Sequence, residues 1–173
     1  MNDALHDRTD GEVAVSLSAR EIAQLGSALA QADQPQATLA CIDRVGAAAI
    51  GHCLFSVNAF RIESMQVERL YSSNPAAYPV GGRKNKKAIA WGQQVLIERK
   101  LFTGEGEAAI RAAFDDHALM HSLGVRSIIN VPVVWRDACL GVLNFACPLP
   151  RVEARQVATA RMLGLIAVPA FLP

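Results

Sequence analysis

The sequence has no apolar run long enough to cross a bilayer. Its longest apolar-rich stretches, 125–134 and 162–172, fall short of the roughly 20 residues that a spanning helix needs. It has no recognisable secretory signal: residues 1–12 are polar, and no apolar segment follows a basic start. It has no excess of one charge, with 17 Lys plus Arg against 16 Asp plus Glu and a net charge of +1. That balance gives no general attraction to DNA, RNA or an acidic membrane. No nucleic-acid or membrane partner is expected, and any electrostatic recognition must be local. The four cysteines, Cys41, Cys53, Cys139 and Cys147, form no CxxC pair. Their spacing makes no zinc site, and with no export signal they are expected to be reduced, buried thiols. No metal and no cofactor is expected, and the expected compartment is the cytoplasm.

What is present suits one globular domain. Of 173 residues, 51% are hydrophobic and 19% charged, ample material for a core. Residues 1–17 read as a flexible leader and 18–173 as a single domain. Ser18 followed by Glu21 makes a capping box, and Ile22, Leu25 and Leu29 continue at helical spacing until Pro35. Pro35 can open a second helix, striped by Leu39, Ile42, Val45 and Ile50 and closed by Gly51. The period then changes to that of strands. Residues 53–62 alternate, with a break in phase near Asn58 that suggests a bulge. Glu63 and Ser64 turn the chain into a second strand from Met65 to Tyr71.

Residues 72–87 are rich in Ser, Asn, Pro and Gly and read as a long loop, a kind usually functional or disordered. A short strand is expected over 93–97, a helix over about 107–123, and a hairpin of two strong strands, 125–134 and 139–147, turning at Trp135–Ala138. A last helix runs from Pro150 to about Val168. The order predicts an α+β layer fold: an antiparallel sheet of five to six strands, terminal helices on one face, and a loop and helix segment over the other, enclosing a cavity.

The run Ser127–Val134, a polar turn and then Leu140–Asn144 resembles the last hairpin of GAF domains, where a hydrophobic strand with Pro is followed by Gly-Val-Leu and a terminal helix. The resemblance covers about 18–171 and implies a GAF-like (profilin-like) fold. The runs Tyr71–Pro75, Tyr78–Lys84, Phe114–His117 and Ser122–Gly124 resemble a group of stand-alone bacterial GAF proteins. The resemblance implies a small-molecule sensor acting without its own output module, and a homodimer through the terminal helices. The Asn-Lys and Phe-Asp-Glu pattern of cyclic-nucleotide-binding GAF domains is not matched. His52–Cys53 lies in a different context from the bilin attachment of phytochromes. No cysteine stands in the motifs of the free-methionine-sulfoxide reductases, which use the same fold.

Three groups of residues are candidates for a site. Arg83 and Lys84, followed by Lys86 and Lys87, form a basic run flanked by Tyr71, Tyr78 and Trp91. The cations suit a carboxylate or phosphate and the aromatics suit pocket walls, although a solvated surface run has the same composition. Asp115, Asp116, His117 and His121 are the chemically richest cluster. His117 and His121 share a helical face, but Ala118 stands where zinc proteases place Glu and no third ligand is apparent. Asp116 and His117 offer an acid–base pair for a small hydrolase, lyase or isomerase. A charged helix end is the alternative. Asn130 and Asn144 interrupt apolar strands and either read a ligand's polar edge or bond neighbouring backbone, as register decides. Arg126 is a candidate carboxylate clamp. The leading expectation is binding of a small, anionic metabolite by Tyr71, Tyr78, Arg83, Lys84, Trp91, His121, Arg126, Asn130 and Asn144. The alternatives are the enzyme built on Asp116 and His117, and a dimeric interaction scaffold.

Overall fold

A computed structural model describes residues 17–172. The expected leader before Ser18 lies, except for Leu17, outside the described residues. Ser18 caps α1 (Ala19–Leu29) as its sequence predicts: its hydroxyl accepts from the Glu21 amide while the Glu21 carboxylate accepts from the Ser18 amide at 2.7 Å. Pro35 stands at the N-cap of α2 (Gln36–Ala49), and Gly51 follows it with a left-handed φ of 79°. The two helices pack on each other.

Six strands form one antiparallel sheet: β1 (Leu54–Arg61), β2 (Gln66–Ser72), β3 (Arg83–Asn85), β4 (Phe102–Glu105), β5 (Ser127–Trp135) and β6 (Ala138–Cys147), in the order β3-β2-β1-β6-β5-β4. The basic run therefore forms an edge strand within the expected loop. The segment after it is helical where a strand is expected: α3 (Ala90–Gly92) continues as a π-turn over Gln93–Ile97. The helix expected over 107–123 is two, α4 (Gly106–Ala113) and α5 (His117–Ser122), because Phe114 is extended between them. The chain ends in α6 (Ala154–Ile166) and a short 3₁₀ turn, Val168–Phe171. Among the described residues no helix is long and apolar enough to cross a membrane.

The sheet is covered on both faces, which is why its strands read as nearly continuous apolar runs. One face packs against α1, α2 and α6 and holds the main core, with Phe55, Val57, Ile129, Leu143 and Phe145 meeting Leu25, Leu39, Ile42 and Leu163. The other face lies under the 73–82 loop, α3, α4 and α5, around two smaller clusters.

Two single-residue irregularities set which side chains reach that second face. Across β1 and β2, Val57 pairs Tyr71 but Asn58 pairs Arg69, so Leu70 is the extra residue of a bulge on β2. β1 itself alternates without a break; the change of phase in its sequence reflects burial on both faces. In the β5–β6 hairpin, a two-residue turn at Arg136 and Asp137, both left-handed, is followed by a second bulge. Val134 pairs Cys139 and Val133 pairs Gly141, leaving Leu140 over. From there on, Asn130 stands directly opposite Asn144.

Candidate functional site

On the second face the sheet and its cover form a recess of about 650 Å³, which includes space open to solvent. Its floor is the middle of the sheet: Leu54, Ser56 and Asn58 from β1, Val67 and Arg69 from β2, Ile128 from β5, and Asn144 and Ala146 from β6. Tyr78 and Gly82 from the loop, Trp91 from α3, and Phe114, Asp116 and Met120 around α5 close it from above. Lys84 and Lys86 enter from the edge.

Strand alternation explains the edge. Arg83 points outward and pairs with Glu68 at 2.9 Å, whereas Lys84, opposite Val67, turns toward the recess. Lys86 follows two residues on and is nine-tenths buried. Its backbone is fixed on both sides. Its N–H donates to the Met65 carbonyl at 2.8 Å, and a Cβ at Gly92 would stand 2.6 Å from the Lys86 carbonyl oxygen, so only glycine allows this approach.

The charges divide unevenly. Lys84 Nζ donates to Asp115 at 3.0 Å and to Asp116 at 3.1 Å. Burial opposes its charge, but these two carboxylates win and raise its pKa; in return the Lys84 bond lowers that of Asp115. Lys86 makes no ion pair or side-chain hydrogen bond among the described residues and lies over the Trp91 ring, 5.0 Å from its centroid. Burial, with the nearby Lys84 charge, lowers its pKa. Arg69 stacks over Tyr78 at 4.9 Å and donates from one terminal nitrogen to the Pro79 carbonyl at 3.2 Å. Its Nε and the Tyr78 Oη are buried without a hydrogen-bond partner. Burial, and then the nearby Asp116 carboxylate, push the Tyr78 phenol well above its usual range, so it stays protonated. Three basic side chains, Arg69, Lys84 and Lys86, thus line the recess against the one carboxylate of Asp116, with Asp115 beside Lys84.

Lys86 gives the site a pH signature. A lysine whose pKa is lowered by folding binds fewer protons folded than unfolded as pH rises from its folded pKa toward its unfolded one. Stability therefore rises with pH across that alkaline window. Lys86→Met is expected to make the ligand-free protein more stable at neutral pH and to remove this rise, measured by thermal melts from neutral to alkaline pH. An unchanged pH profile in the variant would show that Lys86 titrates as it does in water.

Several candidate residues lie elsewhere. The Leu70 bulge puts Tyr71 and Arg69 on opposite faces although they are two apart. Tyr71 faces the helical layer and donates to Asp43 of α2 at 2.8 Å; the other oxygen of that carboxylate bonds His52 at 2.8 Å. Arg83 is turned outward. Arg126 donates to the His121 and Val125 carbonyls and does not line this recess. His121 and His117 line a separate depression with Glu107. Asp116 and His117 do not form a pair: Asp116 faces the first recess and holds Lys84, while the His117 ring bonds the Phe114 carbonyl at 3.1 Å. Asn130 is wholly buried and lies beneath the site. Its Oδ1 accepts from Trp91 Nε1 at 2.9 Å and its amide nitrogen donates to Asn144 Oδ1 at 2.7 Å. Asn144 in turn donates to the Ser56 backbone and hydroxyl oxygens. Of the candidates, Tyr78, Lys84, Trp91, Asn144 and Asp116 meet in the recess; Arg69 and Lys86 join them and are the additions. Reading 83–87 as a strand would have put Lys84 and Lys86 on one face. No signal in the sequence singles out Arg69.

The cysteines take no part in the recess. Burial raises the Cys139 and Cys147 thiols to about 11, and Cys53 is also raised. Among the described residues no group of three His, Cys, Asp or Glu side chains is arranged to hold a metal.

No protein-family model and no curated protein matches the sequence. Solved structures match the fold. The GAF domain of a phosphoenolpyruvate-protein phosphotransferase from Coxiella burnetii superposes with a TM-score of 0.71 at 13% identity, over 87% of this chain and 90% of that one. The corresponding domain from Acinetobacter gives 0.68 at 16%, over 90% and 94%. The chain has the GAF fold. A free methionine-R-sulfoxide reductase from Neisseria meningitidis, solved with its substrate, matches the same GAF fold at 0.65 and 20% identity, over 92% and 94%. At these identities the likeness covers the GAF architecture, and the chemistry of the recess must be read from its own residues.

Proposed function

We propose that this GAF domain is a sensor that binds a small anionic metabolite in the recess between Arg69, Tyr78, Lys86 and Trp91. One observation carries the reading: Arg69 Nε and Tyr78 Oη are buried without a hydrogen-bond partner, and Lys86, without an ion pair among the described residues, joins them in one cavity that has more basic side chains than carboxylates. Buried polar groups are normally paired, and an unpaired one costs about 1–3 kcal/mol. An oxyanion supplies acceptors for Arg69 and Tyr78 and a countercharge for Lys86. The Trp91 and Phe114 rings and Met120 give its carbon body an apolar wall. A homodimer through the terminal helices belongs to the same reading, supported by the exposed Ile22 on α1 and the exposed Met162 and Leu165 on α6. The free cysteines fit a cytoplasmic setting.

The test is a thermal-shift panel of short carboxylates, inorganic phosphate, small phosphate esters, nucleotides and neutral analogues. A ligand at about a hundred times its Kd adds roughly 2.7 kcal/mol, and each kcal/mol moves Tm by roughly 2–4 °C in a chain of this size. Small anions are expected to raise Tm by several degrees, and Arg69→Met to abolish the shift. Stabilisation by neutral compounds alone, or an unchanged shift in Arg69→Met, would overturn the reading.

A further inference from the structure

We propose that Lys86 forms an imine with its ligand, and that the ligand is therefore an acid carrying an adjacent carbonyl, a 2-oxo acid. The inference rests on the anion-binding reading above and adds a covalent step to it.

A lysine that only neutralises a ligand's charge is ordinarily exposed or paired. Lys86 is neither. It is 8% exposed, and among the described residues no carboxylate pairs with it, although Asp116 lines the same cavity and Asp115 lies next to Asp116 in the chain. Lys84 holds both. This arrangement separates two lysines two residues apart: one is fixed in its charged form by two carboxylates, the other is left among positive charges. An amine that is desolvated and placed beside other cations is the usual form of a nucleophilic lysine, because the neutral amine is the species that attacks a carbonyl. The lowered pKa of Lys86 agrees with the geometry. Its main chain is held by Met65 and Gly92, and its amine lies over the face of Trp91.

The other groups suit the same ligand. Arg69 and Lys84 remain to hold the carboxylate, which brings the neighbouring carbonyl carbon toward Nζ. The nitrogen adds to that carbon, forming the C–N bond while the π pair of the carbonyl moves to its oxygen. The two protons of the neutral amine then leave with that oxygen as water, and the C=N bond remains. No oxidant or reductant is required. The Tyr78 phenol, protonated and close to the Asp116 carboxylate, faces the same cavity and can relay those protons.

The experiment treats the full chain with pyruvate and sodium cyanoborohydride, which reduces an imine to a stable secondary amine, and maps the adducts by peptide mass spectrometry. Lys86 is expected to be labelled at least about tenfold faster than the exposed Lys100, which pairs with Glu98. Propionate, which lacks the carbonyl, should compete with the labelling. Lys86→Arg and Lys86→Met both remove the primary amine and should lose the adduct at this position, while the labelling of Lys100 stays as it was. Equal labelling of Lys86 and Lys100 with the thermal shift by carboxylates intact would overturn the imine and leave the anion site standing. Equal labelling with no shift by any anion would remove both.

Discussion

Phe145→Ala is expected to destabilise the protein by about 3–5 kcal/mol, the usual range for emptying a buried aromatic site. At roughly 2–4 °C per kcal/mol this lowers Tm by about 6–20 °C. Phe145 is fully buried on β6, the strand between β1 and β5. Its ring lies 4.8 Å from that of Phe55 and 5.6 Å from that of His52, and a Cβ at Gly46 of α2 would stand 3.0 Å from it. Rings and a helix backbone on all sides cannot collapse into the space left behind, so the upper part of the range applies. Urea or thermal unfolding measures the loss. A cost below about 1 kcal/mol would mean that the helical layer contributes far less than its burial implies. Phe145 faces the helices, while its neighbours Asn144 and Ala146 face the recess. Below the new Tm, ligand binding should therefore survive the substitution.

Asn130→Ala is expected to act on both stability and binding. The change removes the acceptor of Trp91 Nε1 and the donor to Asn144 Oδ1 in one step. Each orphaned buried group costs about 1–3 kcal/mol. Asn144 borders the recess and can find water, so the expected total is about 3 kcal/mol rather than the sum of the upper values. Trp91 also loses the bond that holds its indole against Lys86, so ligand affinity should fall although Asn130 touches no ligand. Trp91 is almost fully buried and the only other tryptophan, Trp135, is 44% exposed. In a Trp135→Phe background the fluorescence of Trp91 reports its release directly, as a red shift on exposure. An unshifted spectrum with lost binding would show that Asn130 acts on the ligand by another route.

The capping box, the tandem opening helices, the last hairpin and the two-sided covering of the sheet were legible because each depends on short-range chemistry or on periodicity. The site was legible only in part. Tyr78, Lys84, Trp91, Asp116 and Asn144 carry residue types suited to a pocket and lie in its walls. Tyr71 carries the same kind of signal but faces α2, and Arg69, with no signal, faces the cavity. Periodicity puts the two on one face; the bulge at Leu70 puts them on opposite faces. The pairing of Asn130 with Asn144 depends likewise on the bulge at Leu140, since a plain two-residue turn would set Asn130 opposite Leu143. The split of the 107–123 helix had the same consequence for Asp116 and His117, which an unbroken helix would not have separated so sharply. Bulges and breaks add or turn one residue at a time; the break in phase near Asn58 marks the height of the first, but nothing in residue type places its extra residue at Leu70 or the second at Leu140.

The two bulges also determine where the chain can change in length. Leu70 and Leu140 are each one residue more than a regular ladder requires. Deleting either one restores unbroken pairing, with Arg69 still opposite Asn58 and Gly141 still opposite Val133, and the loss is confined to the local bend. Deleting a residue elsewhere in β2 or β6 shifts every position beyond it by one and exchanges cavity for core. Each of these two strands thus has one position where a codon can be lost without turning the site inside out.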